Sequence, residues 1–249
     1  MKPKYKRVLL KLSGEALSGE QSMGVEKKSV RHIASNIKRL HDLGIQIGIV
    51  VGGGNFFRGR MAKDFDLKRT PADHIGMLAT VMNGIFLSQT LQVLGVDSVV
   101  MGSSSFGGMV QQFNLKTAND YFKRGNIVFF VGGTGNPYFT TDSAAALRAC
   151  EVDANILLKA TKVDGIYDKD PMKHKDAKKY DTLSYEKALA DGVQVMDATA
   201  IALCREVNIP ILVFNLFDED ALIKAVHNEE CGTMVSSKLC KTSYKKLVS

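Results

Sequence analysis

The sequence predicts an α/β protein: a mainly parallel sheet covered by helices on both faces, a three-layer α/β/α sandwich. Three observations carry this. Six short runs of aliphatic, β-branched or aromatic residues recur along the chain, each followed by a glycine-rich or polar turn. The runs are apolar throughout rather than alternating, as strands covered on both faces are. Stretches with apolar residues at helical spacing separate them, which is the order of βα units.

The first run, Arg7–Leu12, ends at Ser13-Gly14. Ser29–Leu43 follows as a helix, with Val30, Ile33, Ile37 and Leu40 on one face and Gly44 as its stop. Ile45–Val51 is the second strand and ends in Gly52-Gly53-Gly54. Asp73–Leu94 is predicted as a long helix, with Ile75, Leu78, Met82 and Ile85 on one face and Gly95 ending it. It also carries Met77, Val81, Phe86 and Leu87, more apolar residues than one buried face needs. Fully buried helices and helices shared between subunits both have this pattern. Strands at Ser98–Met101, Asn126–Val131, Ile156–Lys159 and Pro210–Phe214 complete the set. Shorter helices are expected at Thr117–Arg124, Ser143–Cys150, Ser184–Ala190, Ala198–Val207 and Asp220–His227. Tyr167–Tyr180, polar and lysine-rich around Pro171, is expected to be a mobile excursion. No linker composition divides the chain, so residues 1–249 are expected to form one domain.

Composition excludes several classes. Of 249 residues, 45% are hydrophobic and 24% charged, which separates the chain from disordered, collagen-like and coiled-coil proteins. The net charge is +7, from 33 Lys and Arg against 26 Asp and Glu. Eight of those bases lie in residues 1–7 and 237–249, which contain no acid, so the body carries 25 bases against 26 acids. A surplus confined to two ends, both expected to be flexible, reads as solvated termini and not as a nucleic-acid footprint. No apolar run reaches the roughly 18 residues of a membrane-spanning helix, and Lys11 and Glu15 interrupt the apolar start. Cys150, Cys204, Cys231 and Cys240 form no Cys-x-x-Cys pair. Reduced thiols in a cytoplasmic protein are expected, without zinc or redox chemistry.

In a sheet of this kind, ligands bind beyond the carboxyl ends of the strands. Glycine turns follow three strands, at Gly14, Gly52–Gly54 and Gly132-Gly133. They let backbone N–H groups approach a phosphate closely. Two standard phosphate motifs fail. Phe57 stands where Gly52-x-Gly54 would need its third glycine, and Gly19–Gly24 continues into Val25-Glu26. Lys11, between Leu10 and Leu12 at a strand end, is either an edge residue or a cation reaching the site. Arg58 follows the second glycine turn as a phosphate clamp or a surface cation. Asp73 heads the long helix, as an N-cap or as a partner for a sugar hydroxyl. Thr134-Gly135-Asn136-Pro137-Tyr138-Phe139-Thr140-Thr141-Asp142 is the densest polar stretch, placed just before a helix where binding residues collect. Lys159, Lys162 and Asp164 lie at a further strand end, followed by Asp168 and Asp170 as ligands or solvated loop residues.

With these residues assembled, the chain resembles the amino-acid kinase family. The likeness runs through Leu10–Ala16, Val51–Gly59, Asp73–Gly84, Gly133–Ala145 and Leu158–Ile166. The Lys11–Gly14 and Gly52–Gly54 turns are similar to those of the whole family. The Gly76–Gly84 helix motif and Thr134–Asp142 are similar to its bacterial branch that phosphorylates UMP. The resemblance implies an α/β/α sandwich, ATP with Mg²⁺ as donor, transfer of the γ-phosphoryl group to UMP, a homohexamer, and inhibition by UTP. It assigns Lys11, Leu12, Ser13, Gly14, Gly54 and Arg58 to ATP and its phosphates, with Thr161, Tyr167 and Asp170 toward adenine and ribose. It assigns Gly53, Asp73, Thr134, Gly135, Asn136, Pro137, Tyr138, Phe139, Thr140 and Thr141 to UMP. Lys11, Asp142 and Lys162 are the implied catalytic groups. Asp142 would organise the lysines and a metal-bound water, with no direct protein ligand to the metal. Phosphoryl transfer itself requires two phosphates held in line and stabilisation of spreading charge, which lysines and backbone amides supply. Carbamate, acetylglutamate and aspartate kinases would share the Lys11 and Gly52–Gly54 elements, but Asp73 and Thr134–Thr141 argue against their acceptors. A non-catalytic nucleotide sensor or nucleic-acid-binding regulator would have no use for Lys11, Asp142 and Lys162.

Overall fold

The computed structural model describes residues 2–171, 173–193, 196–218, 220–227, 229, 231–237 and 243–245. The first half runs β1 (Arg7–Leu12), α1 (Glu15–Ser18), α2 (Lys27–His41), β2 (Gln46–Val51), α3 (Gly59–Asp64), α4 (Arg69–Val93), β3 (Ser98–Gly102), β4 (Gln111–Gln112), α5 (Leu115–Lys123) and β5 (Ile127–Val131). The second runs α6 (Thr141–Glu151), β6 (Ile156–Thr161), β7 (Lys179–Leu183), α7 (Tyr185–Ala190), α8 (Ala198–Glu206), β8 (Ile211–Asn215), α9 (Ala221–His227), β9 (Gly232–Val235) and β10 (Ser243–Lys245). These strands form one sheet in the order β10-β7-β9-β8-β6-β1-β2-β5-β3-β4. From β8 across to β4 every pairing is parallel. Beyond β8 the direction changes: β9 is antiparallel to β8, β7 is parallel to β9, and β10 is antiparallel to β7.

All six expected strands are present. The sequence reading missed β4, β7, β9 and β10, and also α1 and α3. These are short elements, and β7 is a half-wet strand near the sheet edge with too few apolar positions to announce itself. The excursion expected over Tyr167–Tyr180 therefore ends inside the sheet, with Tyr180 only 2% exposed. Nor is the stretch before β1 loose: Tyr5 is buried, and the Lys4 N–H donates to Val226 O at 2.9 Å. Of the basic carboxyl-terminal segment, residues 238–242 and 246–249 lie outside the described residues. Cys150, Cys204 and Cys231 carry free thiols, and Cys240 lies outside the described residues.

Alternation along the strands divides the core in two. Leu10, Leu12 and Leu158 pack with Ile33, Ile37, Leu87 and Leu222 on the face covered by α2, α4 and α9. Leu9 and Leu157 pack with Phe122, Ala145, Ala149 and Cys204 on the face covered by α5 to α8. A period of two places Lys11 on the side of Leu9, and Lys159 on the side of Leu157. The register sets Lys11 directly opposite Lys159 across the β1–β6 pair.

The long helix departs from its expected orientation. It begins at Arg69, so Asp73 sits one turn inside it and does not cap it. Ala79, Val81, Asn83, Gly84, Leu87 and Leu91 make its buried face. Ile75, Leu78, Met82 and Phe86 are 40, 52, 52 and 48% exposed. Periodicity located an apolar stripe correctly but could not say which of two apolar faces meets the sheet. Small residues decide it: a Cβ on Gly84 would stand 2.3 Å from Val131 Cγ1, so only a bare backbone fits there. No helix among the described residues is long and apolar enough to cross a membrane.

Candidate active site

The carboxyl ends of β1, β2, β5 and β6 meet beneath the amino end of α6. Asp142, in the first turn of α6, lies between the two opposed lysines. Lys11 Nζ is 2.7 Å from Asp142 Oδ1, and Lys159 Nζ donates to Asp142 Oδ2. Both lysines are under a tenth exposed. Burial works against the charged form of Asp142, but Lys11 and Lys159 outweigh it and hold the carboxyl below its ordinary range. Burial lowers the Lys159 ammonium, with Asp142 opposing. Two cations and one anion leave a net positive charge at the strand ends, suited to a bound anion. Among the described residues, no three His, Cys, Asp or Glu side chains gather as a metal-ion set.

The glycine turns are held from behind by α4. Asn83 Nδ2 donates to Gly52 O and to Asn55 Oδ1, both at 2.7 Å, while Asn55 Nδ2 returns a bond to Asn83 Oδ1 at 3.0 Å. Thr80 Oγ1 accepts from the Gly132 N–H at 2.8 Å. One helix face thus fixes the turns after both β2 and β5. Gly14 packs so tightly on this arrangement that a Cβ there would lie 2.5 Å from Gly52 O. Lys11–Gly14 and Gly52–Gly54 are therefore one structural unit. Arg58 Nε donates to Gly54 O at 3.0 Å and lies 3.3 Å from Glu15 Oε1, which keeps the guanidinium at the turn.

Beside this unit opens a cleft of about 930 Å³. Its walls include Gly53, Gly54, Arg58, Asp73, Phe139, Thr140 and Thr141, all expected site residues. Asp73 does more than line it. Its Oδ2 accepts the Tyr138 N–H at 2.7 Å, and Arg69 Nε bonds both carboxylate oxygens at 2.8 and 2.9 Å. Slight burial opposes the charge, but Tyr138 and Arg69 keep the Asp73 carboxyl below its usual value. Tyr138 has φ +72°, a left-handed conformation that a non-glycine residue keeps only when its surroundings enforce it. Asp73 is that enforcement, tying α4 to Thr134–Thr141. Thr140 caps α6 by accepting from the N–H groups of Asp142 (3.0 Å) and Ser143 (3.3 Å), and its hydroxyl donates to Asp197.

The expected residues do not all converge. Gly53, Gly54, Arg58, Asp73 and Phe139–Thr141 line one cleft, Tyr138 is tied to Asp73, and Lys11, Gly14 and Asp142 lie beside the glycine turns; Thr134–Pro137 do not line the cleft. Thr161 ends β6 and Lys162, Tyr167 and Asp170 lie on the chain after it; none of the four lines the cleft. Lys159, not Lys162, is the lysine that meets Asp142; Lys162 is exposed on the turn beyond the strand. Period-two parity along Leu157-Leu158-Lys159 was the available signal. Sequence reasoning also missed Asn55, Thr80, Asn83, Arg69 and Asp197. Arg69 stands four residues from Asp73 on one helix, a spacing that could have flagged it; Asp197 caps α8, and Asn55, Thr80 and Asn83 lie within stretches that carry the resemblance, but their partners across the site are distant in sequence.

Residues 6–215 match the model of the amino acid kinase family. This chain belongs to that family. It is 52% identical over 232 residues to the uridylate kinase of Protochlamydia amoebophila (strain UWE25), covering 92% of each chain. It is 49% identical over 234 residues to the uridylate kinase of Chromohalobacter salexigens, covering 94% of this chain and 92% of the relative. Among solved structures, UMP kinase from Bacillus anthracis superposes with a TM-score of 0.93 at 36% identity, covering 97% of this chain and 99% of the other. UMP kinase from Ureaplasma parvum gives 0.89 at 36% identity, covering 94% and 100%. As a member of this family, the chain has the α/β/α architecture that its strand and helix order predicted.

Proposed function

We propose that this protein transfers the γ-phosphoryl group of ATP to UMP, giving UDP and ADP. One observation carries the reading: two buried, cross-strand lysines on a shared carboxylate adjoin a cleft lined by Asp73 and by Phe139, Thr140 and Thr141. In the step, an oxygen of the UMP phosphate attacks the γ-phosphorus in line, and the bond from that phosphorus to the β,γ-bridging oxygen breaks, leaving ADP. The attacking phosphate is already anionic, so no general base is required. Lys11 and Lys159 neutralise charge spreading over the equatorial oxygens, while the N–H groups of Gly14, Gly53 and Gly54 and the Arg58 guanidinium hold the phosphates. Mg²⁺ enters as part of the MgATP substrate. Both Asp142 oxygens face lysines, so this carboxylate would approach the ion through water. Lys162 is proposed as a further contact to the donor phosphates, and Thr161, Tyr167 and Asp170 as contacts to adenine and ribose. The reaction belongs to pyrimidine nucleotide synthesis in the cytoplasm, with UTP inhibiting by occupying the acceptor cleft. ADP release from ATP, measured with each nucleoside monophosphate, carbamate, acetylglutamate and aspartate in turn, tests the assignment. Preferred use of any acceptor other than UMP would overturn it.

Asp73 is proposed as the acceptor for a ribose hydroxyl, since its Oδ1, which accepts only from Arg69, retains a free lone pair, whereas Oδ2 already accepts from both Arg69 and Tyr138. Asp73→Asn is expected to raise KM for UMP about tenfold or more and to change KM for ATP little. dUMP should be a poor substrate of the unaltered enzyme, because a site built for a hydroxyl rejects the analogue lacking it. Equal use of UMP and dUMP would remove the ribose role.

The exposed Ile75, Leu78, Met82 and Phe86 stripe supports assembly into a homohexamer, because a row of large apolar side chains along one helix face suits burial against a second copy. Light scattering at micromolar concentration is expected to give a hexamer mass. A monomer mass would refute it.

A further inference from the structure

The turn after β6 holds a tyrosine by its hydroxyl. Tyr167 Oη donates to Asp164 Oδ1 at 2.7 Å, and Lys179 Nζ, from the first residue of β7, donates to Asp164 Oδ2 at 2.7 Å. The two backbone segments are zipped together: Tyr167 bridges Lys179, the Tyr180 N–H donates to Ile166 O at 2.8 Å, and the Asp168 N–H donates to Lys178 O at 3.1 Å. Thr233 of β9 accepts the Ile166 N–H at 2.9 Å. The Lys179 side chain is 13% exposed, and a Cβ on Gly165 would stand 2.6 Å from its Cε, so the lysine stem runs directly under the turn. Burial opposes the charge on Asp164, but Lys179 and Tyr167 keep its carboxyl low, and the tyrosine hydroxyl is pushed up by burial and by the same carboxylate. Tyr167 therefore keeps its proton and its bond, and its hydroxyl is committed to Asp164. What remains to offer a ligand is the ring, its orientation fixed by a hydrogen bond at the far end. Aromatic faces bind nucleobases by stacking, without reading edge groups.

We propose that Lys179 is a positioning residue for the donor nucleotide: through Asp164 it fixes the Tyr167 ring as the face on which the donor base stacks. The inference deepens the reading above and rests on ATP being the donor. Steady-state kinetics on the full-length enzyme tests it. Lys179→Met is expected to raise KM for ATP by about five- to tenfold, with kcat at saturating ATP within about twofold and KM for UMP unchanged. Lys179→Arg is expected to restore the ATP constant. The deciding measurement is the double-mutant cycle: in a Tyr167→Phe background, Lys179→Met should add less than about twofold, because the tether it supports is already gone. A full-sized effect in that background, or equal rises in both Michaelis constants, overturns the proposal. Calorimetric titration of ATP without acceptor separates the two readings. ATP binding that follows the same mutational pattern in a chain that fails to phosphorylate UMP would support Lys179 and sink the acceptor assignment. No ATP binding by the unaltered chain would sink both.

Discussion

Lys11→Ala is expected to lower turnover by about 10²–10³-fold while leaving UMP affinity nearly unchanged, the usual loss for a preorganised charge donor. Lys11 lies at the strand end and not in the wall of the proposed acceptor cleft, so ground-state binding of UMP is expected not to depend on it. Its removal cancels the net positive charge of the Lys11–Asp142–Lys159 group, leaving one neutral pair where phosphoryl charge must be stabilised. Lys159→Met is expected to fall in the same range, because it removes the equivalent cation across the strand pair. Lys162→Ala, on the exposed turn, should instead raise KM for ATP. Steady-state kinetics on the three variants checks the order. Turnover within a few-fold of the unaltered enzyme for Lys11→Ala would make that lysine a structural partner of Asp142 alone.

Asn83→Ala is expected to destabilise the protein by about 3 kcal/mol, because it strands Gly52 O and Asn55 Oδ1 in a buried site, while Asn55 Nδ2 keeps its bond to Gly24 O, at roughly 1–3 kcal/mol for each unsatisfied group. For a chain of this size that corresponds to a fall in Tm of about 6–12 °C. The kinetic signature should be distinctive. In the proposed reading the Gly52–Gly54 turn meets both substrates, so the Michaelis constants for ATP and UMP should rise together, unlike the one-sided effects of Asp73→Asn and Lys179→Met. Thermal melting and kinetics of the same preparation check both halves. An unchanged melting temperature would show that water replaces the lost amide, and that α4 does not hold the turn.

The resemblance noted in the sequence and the measured identities to uridylate kinases agree on the family, yet the site shows where a one-dimensional reading stops. Lys11, Asp142 and the Thr134–Thr141 stretch were legible because each interrupts a strong local pattern: a cation within an apolar strand, or a dense polar run before a helix. Both Lys159 and Lys162 are visible at that strand end, and the resemblance singles out Lys162. Only strand parity and the β1–β6 register show that Lys159 points at Asp142. Asp73 was placed at a helix head because apolar periodicity begins after it. The helix starts a turn earlier, since Arg69 and Thr70 lead into it without an apolar signal.

Strand composition, helix period and glycine punctuation are properties of neighbouring residues, so the sequence by itself determined the α/β/α class, the order of six strands and the turns where ligands gather. Register and helix facing are properties of segments distant in sequence, and the tertiary structure alone decided them. It set Lys11 against Lys159 on a common carboxylate, turned Asn83 and Thr80 of α4 toward the glycine turns, and left Ile75, Leu78, Met82 and Phe86 outward. The physical reason is close packing: Gly84 against Val131 and Gly14 against Gly52 admit one arrangement of backbones, and that arrangement selects among faces that hydrophobicity alone leaves equivalent.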